Sequence, residues 1–368
     1  MTFRLIWRAL AATLGGTVAV YGVAACGTSS GDQPSSGSSG GTIRWAAAGG
    51  YNSSYAPLLV AQGQGLFSKQ NVQVELNTFA TGSSALAALI GGSADVASIS
   101  GLDMLRSAQK QNGVVAVYTP FDSAASSIIA RKELQATYGT DIAKFKDAKW
   151  GYAAEGTSST YYLKTLAEKS GLNWDRLGRN ALGTQSAILA SLTAGKVDIV
   201  STDLTTASKA IQQGVGYLVL NTNDPDATTP YWGKQFGSVF ATTKSFLQKR
   251  PDLIQGFVAG LVDGQHMLQQ NIGDASRMLA LFTPEVQTEF KATWDQQWKL
   301  TAPAFDGVDG TLTDEMLTSE LAWATSCGAL PPGTTLPPSS EFADNSFVER
   351  AFSTLGYAKP TPGATPSA

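Results

Sequence analysis

Residues 83–98, SSALAALIGGSADVAS, lie over residues 186–201, SAILASLTAGKVDIVS, at an offset of 103 with seven identities. The shared positions are Ser83/Ser186, Leu86/Leu189, Ala87/Ala190, Leu89/Leu192, Gly92/Gly195, Asp95/Asp198 and Ser98/Ser201. Each copy reads as helix, turn and strand. Serine caps the free N–H groups of a helix start, and Leu and Ala supply an apolar face. Glycine takes the left-handed position after a helix, and Asp satisfies turn amides ahead of a buried strand. The period is too long for a solenoid. Two lobes on one plan are predicted.

The same alternation extends on both sides of each copy. Strands are predicted at 43–47, 72–77, 96–99 and 114–118, with helices over 55–67, 83–90 and 102–111 between them. The second series has strands at 150–154, 197–200 and 217–220 and helices over 159–169, 186–193 and 205–213. Strands alternating with helices predict an α/β fold whose parallel-type sheets are covered by helices. Beyond Tyr231 the pattern turns helical. Leu253, Ile254, Phe257, Val258, Leu261, Val262 and Leu268 form one stripe, and Val286, Phe290, Trp294 and Trp298 another. Both stripes read as core. Residues 331–340 and 358–368 read as a loop and a loose tail.

The chain has 368 residues, 26 basic and 29 acidic, and is 43% apolar. That length suggests about two domains. A nucleic-acid partner is not expected, because phosphate binding needs a basic field. Two cysteines fill neither a four-ligand zinc site nor a disulfide framework, so no metal or cofactor is expected. The single histidine, His266, falls beside a core stripe, which disfavours imidazole catalysis. Cys327 reads as a buried thiol.

Residues 1–25 read as an export signal: Arg4 and Arg8 precede 17 uncharged residues, Ala9–Ala25, whose end reads Val23-Ala24-Ala25 and is followed by Cys26-Gly27. Small residues before a cysteine resemble the lipobox of bacterial lipoproteins, which implies cleavage before Cys26 and lipidation of its thiol. Residues 27–41 are Gly or Ser at 11 of 15 positions and read as a flexible tether, so 26–41 hold the domain beside a membrane.

In open sheets ligands sit beyond the carboxyl ends of strands, where helix N-termini also point. Three such ends carry small or hydroxyl residues: Gly82-Ser83-Ser84, Gly156-Thr157-Ser158 and Thr202-Asp203. Ser100, after the strand ending at Ile99, joins them. Free N–H groups and about half a positive charge let a helix N-terminus hold an acidic group without Lys or Arg. Tyr51, Asn52, Ser53 and Tyr55 follow the first strand and are candidates for one wall, with Tyr231 and Trp232 for a second. No Lys or Arg appears in these loops, and Asp203 does. An organic solute with one acidic group and an apolar or amine-bearing body fits better than a bare inorganic anion.

Several segments in order carry a resemblance: Ala56-Pro57-Leu58-Leu59-Val60-Ala61, Gly65-Leu66-Phe67, Gly82-Ser83-Ser84, Asp95-Val96-Ala97, Gly156-Thr157-Ser158, Gly195-Lys196-Val197-Asp198 and Ser245-Phe246-Leu247 with Pro251 and Phe257. Over roughly residues 42–270 the chain resembles the solute-binding proteins of ABC importers, in the nitrate/sulfonate/taurine-binding group related to thiamine-precursor-binding proteins. The resemblance implies a two-lobed periplasmic-binding-protein-like fold (type II). Lobe 1 would be 42–125 plus 237–368 and lobe 2 126–236, with crossings near Ile128–Arg131 and Val239–Thr242. It also implies a monomer that captures a small organic anion and hands it to permease and ATPase subunits. A thiamine-precursor pyrimidine is the alternative ligand. A related pyrimidine synthase is the enzymatic alternative, and it needs an active-site histidine.

Overall fold

The computed structural model describes residues 40–124 and 126–360, so the leader, Cys26 and most of the tether lie outside the described residues. The first series is β1 (Gly41–Ala48), α1 (Ala56–Gly63), α2 (Leu66–Lys69), β2 (Val72–Phe79), α3 (Gly82–Ile90), β3 (Val96–Ile99), α4 (Gly101–Lys110) and β4 (Val114–Tyr118). The second is β5 (Ser127–Arg131), α5 (Gln135–Tyr138), β6 (Lys149–Tyr152), α6 (Ser158–Lys169), β7 (Gly178–Ala181), α7 (Gln185–Thr193), β8 (Ile199–Thr202), α8 (Leu204–Gln212), β9 (Gly216–Asn221) and α9 (Pro225–Trp232). Then come β10 (Val239–Thr243), α10 (Lys244–Lys249), α11 (Pro251–Asn271), α12 (Ala275–Ala280), α13 (Pro284–Phe290), α14 (Trp294–Thr301), α15 (Asp314–Ser326) and α16 (Ser346–Leu355).

The single helix expected over 55–67 is two, because Gly65 takes φ +65° and turns the chain between α1 and α2. The strand β7 was not anticipated. Its sequence, Gly-Arg-Asn-Ala, sits at a sheet edge and has no apolar alternation to read.

Two five-stranded sheets result, ordered β2-β1-β3-β10-β4 and β7-β6-β8-β5-β9. In each, four strands run in one direction and the fifth is inserted antiparallel between two of them, so the parallel-type sheets are mixed. The orders are the same when β6–β9 are laid over β1–β4 and β5 over β10. The sequence repeat recurs in the elements: α7, β8 and α8 begin 103 residues after α3, β3 and α4. One side-chain lock is also built twice. Asp95 accepts from the backbone N of Arg44 at 2.9 Å and from its guanidinium at 2.7 Å. Asp198 accepts from the backbone N of Lys149 at 2.8 Å and from Arg131 Nε at 3.2 Å. Asp95 ties β1 to the turn before β3, and Asp198 ties β6 to the turn before β8.

The helix caps differ from expectation. Thr81 and Thr184, not Ser83 and Ser186, accept the free N–H groups of α3 and α7. The serines lie inside the helices. Gly92 and Gly195 have φ of +75° and +66°, the left-handed geometry expected of them.

Ile43, Trp45 and Ala47 of β1 face a core built with α1, α11 and α16, while Ala46 faces a second core with α3, α4 and α15. Along α11 the predicted stripe is buried. Gly260 and Gly264 let that helix approach Phe67 and the Pro57 backbone more closely than a methyl group would allow. Trp294 and Trp298 stack at 5.3 Å in the same core, and Cys327 is buried.

The stretches 128–131 and 239–242 lie within β5 and β10, as inserted strands of the two sheets. The chain passes between sheets through 119–126 and 222–238, and these segments run side by side. Gly237 N donates to Ser123 O at 2.7 Å, Ser126 N to Thr222 Oγ1 at 2.8 Å, and Ser123 Oγ to Asn223 Oδ1 at 3.0 Å. A Cβ at Gly237 would overlap Ser123 O, so glycine is required there.

Two helices from the last third of the chain strap the second sheet to the first. On one flank Trp323 Nε1 of α15 donates to Thr165 Oγ1 of α6 at 2.9 Å, and Lys164 Nζ donates to Cys327 O at 2.7 Å. On the other, α14 packs on α8, with Thr205 Oγ1 donating to Gln297 Oε1 at 3.0 Å.

Candidate functional site

Between the sheets lies a cleft of about 230 Å3. Its floor is the paired crossings, through Phe121, Ala124, Ser126, Gly237 and Ser238. One wall comes from the first sheet: Asn52, Tyr55, Thr81, Gly82, Ser83, Ser98, Ser100 and Asp103. The other comes from the second: Thr157, Ser158, Ser159, Tyr162, Gln185, Thr202 and Asp203. The caps or first residues of α3, α4, α6, α7 and α8 all lie in this lining. The common cause is topological, because a helix following a strand starts at that strand's carboxyl end. Five positive helix ends therefore face one space.

Of the residues singled out in the sequence, Asn52, Tyr55, Gly82, Ser83, Ser100, Thr157, Ser158 and Asp203 line the cleft. Tyr55 stands edge-on to Trp45 at 5.0 Å, and burial pushes its hydroxyl up to about 12, so it stays a neutral donor. Thr157 Oγ1 is used locally, donating to Ala154 O at 2.8 Å. Ser158 Oγ is buried and, among the described residues, has no partner.

Six others are placed elsewhere. Ser53 is fully buried against Thr301, with the hydroxyls 2.7 Å apart. Ser84 closes a reciprocal cap with Thr81. Gly156 offers its carbonyl to Arg106 Nη1 at 2.7 Å, behind the wall. Tyr51 packs on the first core. Trp232 is buried 5.0 Å from the Tyr162 ring, because α9 turns its apolar side inward and leaves the wall to Tyr162. Tyr231 also packs at this core.

Asp103 and Gln185 were not anticipated. Asp103 is three residues after the cap Ser100 and bonds its hydroxyl at 2.9 Å, a Ser-x-x-Asp spacing that is legible as a reciprocal cap. Ser83 Oγ donates to its other oxygen at 3.3 Å. Gln185 Oε1 accepts from Thr202 Oγ1 at 2.6 Å and carries no sequence signal. Burial raises the carboxyls of both Asp103 and Asp203 above the usual range, opposed by the Ser100 hydroxyl for the first and by the Thr206 amide for the second. The Asp203 bond to Thr206 N is 2.6 Å.

The lining thus combines two carboxylates and fifteen hydroxyl or amide side chains with no Lys, Arg or His. Arg106 is the nearest cation to Asp103, at 3.9 Å, but its two terminal nitrogens are spent on the Gly156 and Ala329 carbonyls. Among the described residues no cluster of three or more His, Cys, Asp or Glu is placed to hold a metal ion. His266 lies on α11, stacked on Tyr357 at 3.9 Å, and does not line the cleft.

Comparison with solved structures gives the same architecture. A protein of Bordetella bronchiseptica RB50 matches at 20% identity and TM-score 0.72, over 86% of this chain and 98% of that one. The periplasmic nitrate-binding protein NrtA of Synechocystis PCC 6803 matches at 15% identity and TM-score 0.66, over 85% and 89%. The alkanesulfonate-binding protein SsuA of Xanthomonas axonopodis pv. citri, bound to MOPS, matches at 16% identity and TM-score 0.62, over 83% and 98%. No curated protein matches. The family described as NMT1/THI5 like matches residues 52–271, which hold both walls of the cleft. This chain has the periplasmic-binding-protein fold and belongs to the NMT1/THI5-like family.

Proposed function

We propose that the chain is the extracytoplasmic solute-binding component of an ABC importer, capturing a small organic solute between its lobes and delivering it to a permease. The observation that carries the reading is the cleft itself: five helix N-termini converge on it, its lining has no basic side chain, and Asp103 and Asp203 line it from opposite walls. An acidic group is held by amide N–H groups and hydroxyls, and an amine or amide on the same solute faces the carboxylates. The Synechocystis and Xanthomonas neighbours are named as nitrate- and alkanesulfonate-binding proteins, and no catalytic role is assigned to any residue. Lobe 1 is 42–125 plus 237–368, and lobe 2 is 126–236. They close by a hinge on the paired crossings.

Titration calorimetry against taurine, aliphatic sulfonates, carboxylates, an aminopyrimidine and nitrate tests this. Binding of an organic member with nitrate at least tenfold weaker is expected. Nitrate binding as tight as any other member removes the reading. A pyrimidine is the second reading, favoured by Phe121 and Tyr162 in the lining and by carboxylates able to accept from an aminopyrimidine.

Residues 1–25 are proposed as a lipoprotein signal peptide and Cys26 as the lipidated residue. Labelled palmitate should enter the wild-type chain in the producing cell, and Cys26→Ser should abolish both the label and sedimentation with membranes.

A further inference from the structure

Glu320, on α15, is fully buried, and among the described residues neither carboxyl oxygen has a hydrogen-bond partner. It lies outside the cleft lining, directly behind it. Its neighbours come from both lobes. The first residue of α4, Gly101, is so close that an added Cβ would stand 2.8 Å from Glu320 Oε1 and 2.5 Å from the carbonyl of Phe236, on the return crossing. Tyr162 of α6 faces it and shares its core with Trp323, stacked at 4.6 Å, and with Trp232, whose indole N–H is also without a partner. Ser100, Tyr162 and Gly237, each beside or among these neighbours, line the cleft on the other side.

Among the described residues no cation faces this carboxyl. On α4, Arg106 is committed to two carbonyls, and Asp103 bonds Ser100 and Ser83. On the crossing, Lys234 pairs with Asp122 and Glu315. On α6, Lys164 donates to the Cys327 carbonyl, and burial raises the Cys327 thiol. Tyr162 is held neutral by its own burial. An unpaired ionised carboxylate cannot remain in such a place. It must be protonated, or water must reach it.

We propose that Glu320 is a proton-operated catch on lobe closure: the junction of α15, α4, α6 and the return crossing packs shut only around the neutral carboxyl, and its ionisation parts the lobes. The positive end of α4 at Gly101 favours the charged form, and burial, the larger influence, opposes it while the junction is shut. Burial pushes this carboxyl up to about 8, with the nearby Phe236 backbone amide opposing it. The catch therefore operates just above neutrality. It uses the two-lobed fold and is independent of which solute is bound.

The test uses the soluble chain without solute. Small-angle scattering from about pH 6 to about pH 10 should show the radius of gyration rising in one step in the wild type and constant in Glu320→Gln. Infrared difference spectra should show a protonated-carboxyl band at neutral pH that Glu320→Gln lacks. Glu320→Met provides the same comparison should the Gln variant fold poorly. Superimposable scattering profiles for wild type and variants, a wild type that does not expand, or an absent carboxyl band each overturn the proposal. None of these outcomes bears on the calorimetric panel, so the two readings fail separately.

Discussion

Asp203 does two jobs that can be separated. One oxygen caps α8 through Thr206 N, and the side chain lines the cleft. Asparagine caps a helix as well as aspartate does, so Asp203→Asn should leave the thermal midpoint unchanged or slightly raised, since burial already disfavours the charge. For a solute carrying an amine, affinity measured by calorimetry should fall at least tenfold. An equal affinity would mean that no cationic group sits there. Ser158→Ala is the complementary case: its hydroxyl has no internal partner, so its loss should cost binding and not stability. At this scale the sequence was half legible. The hydroxyls at strand ends could be read because topology puts helix starts there. Trp232 and Ser53 could not, because the turn of one residue about a short helix decides between wall and core, and that depends on packing partners far along the chain, such as Thr301.

Elements built from one continuous series were read within about two residues, because each carries its own period and its own punctuation. The inserted strands β5 and β10 read as crossings in the sequence, since nothing in it reveals that each slots antiparallel between strands of a different segment. The crossings proper are polar and hold each other by backbone and side-chain bonds. Gly237→Ala should therefore destabilise by about 1–3 kcal/mol through overlap with Ser123 O, read as a lower denaturant midpoint. The α15 junction makes a pH prediction. In an unfolded chain the Glu320 carboxyl ionises near 4.5, whereas in the fold it keeps its proton to about 8. Between these values the native state binds the extra proton, so this group's contribution to stability falls as pH rises and stays at its full cost above about 8. Glu320→Gln should match the wild type near pH 4 and exceed it increasingly toward pH 8, by at most about 5 kcal/mol. A stability difference that does not change with pH would remove the claim.

Across the whole molecule the 103-residue repeat predicts two lobes of equal rank, and the paired sheets with their duplicated Asp locks have that form. The last third of the chain breaks the equality. Its helices complete the first core through α11 and α16 and reach across to the second through α14 and α15. The sequence showed these helices as apolar stripes but not as straps, because a stripe does not name the surface that covers it. Strapping has a thermodynamic consequence. Two lobes joined only by crossings would unfold as separate units, whereas lobes sharing buried contacts unfold together. Tryptophans report on both: Trp150 and Trp174 lie in the second sheet's core, and Trp45, Trp294 and Trp298 in the first. Wild-type unfolding in urea should therefore give coincident transitions by tryptophan fluorescence and far-ultraviolet circular dichroism. Trp323→Ala removes the stacking on Tyr162 and the bond to Thr165, so it should cost about 3–5 kcal/mol and split the transition in two. Two transitions already present in the wild type would mean that the straps contribute little and that the crossings alone hold the lobes together.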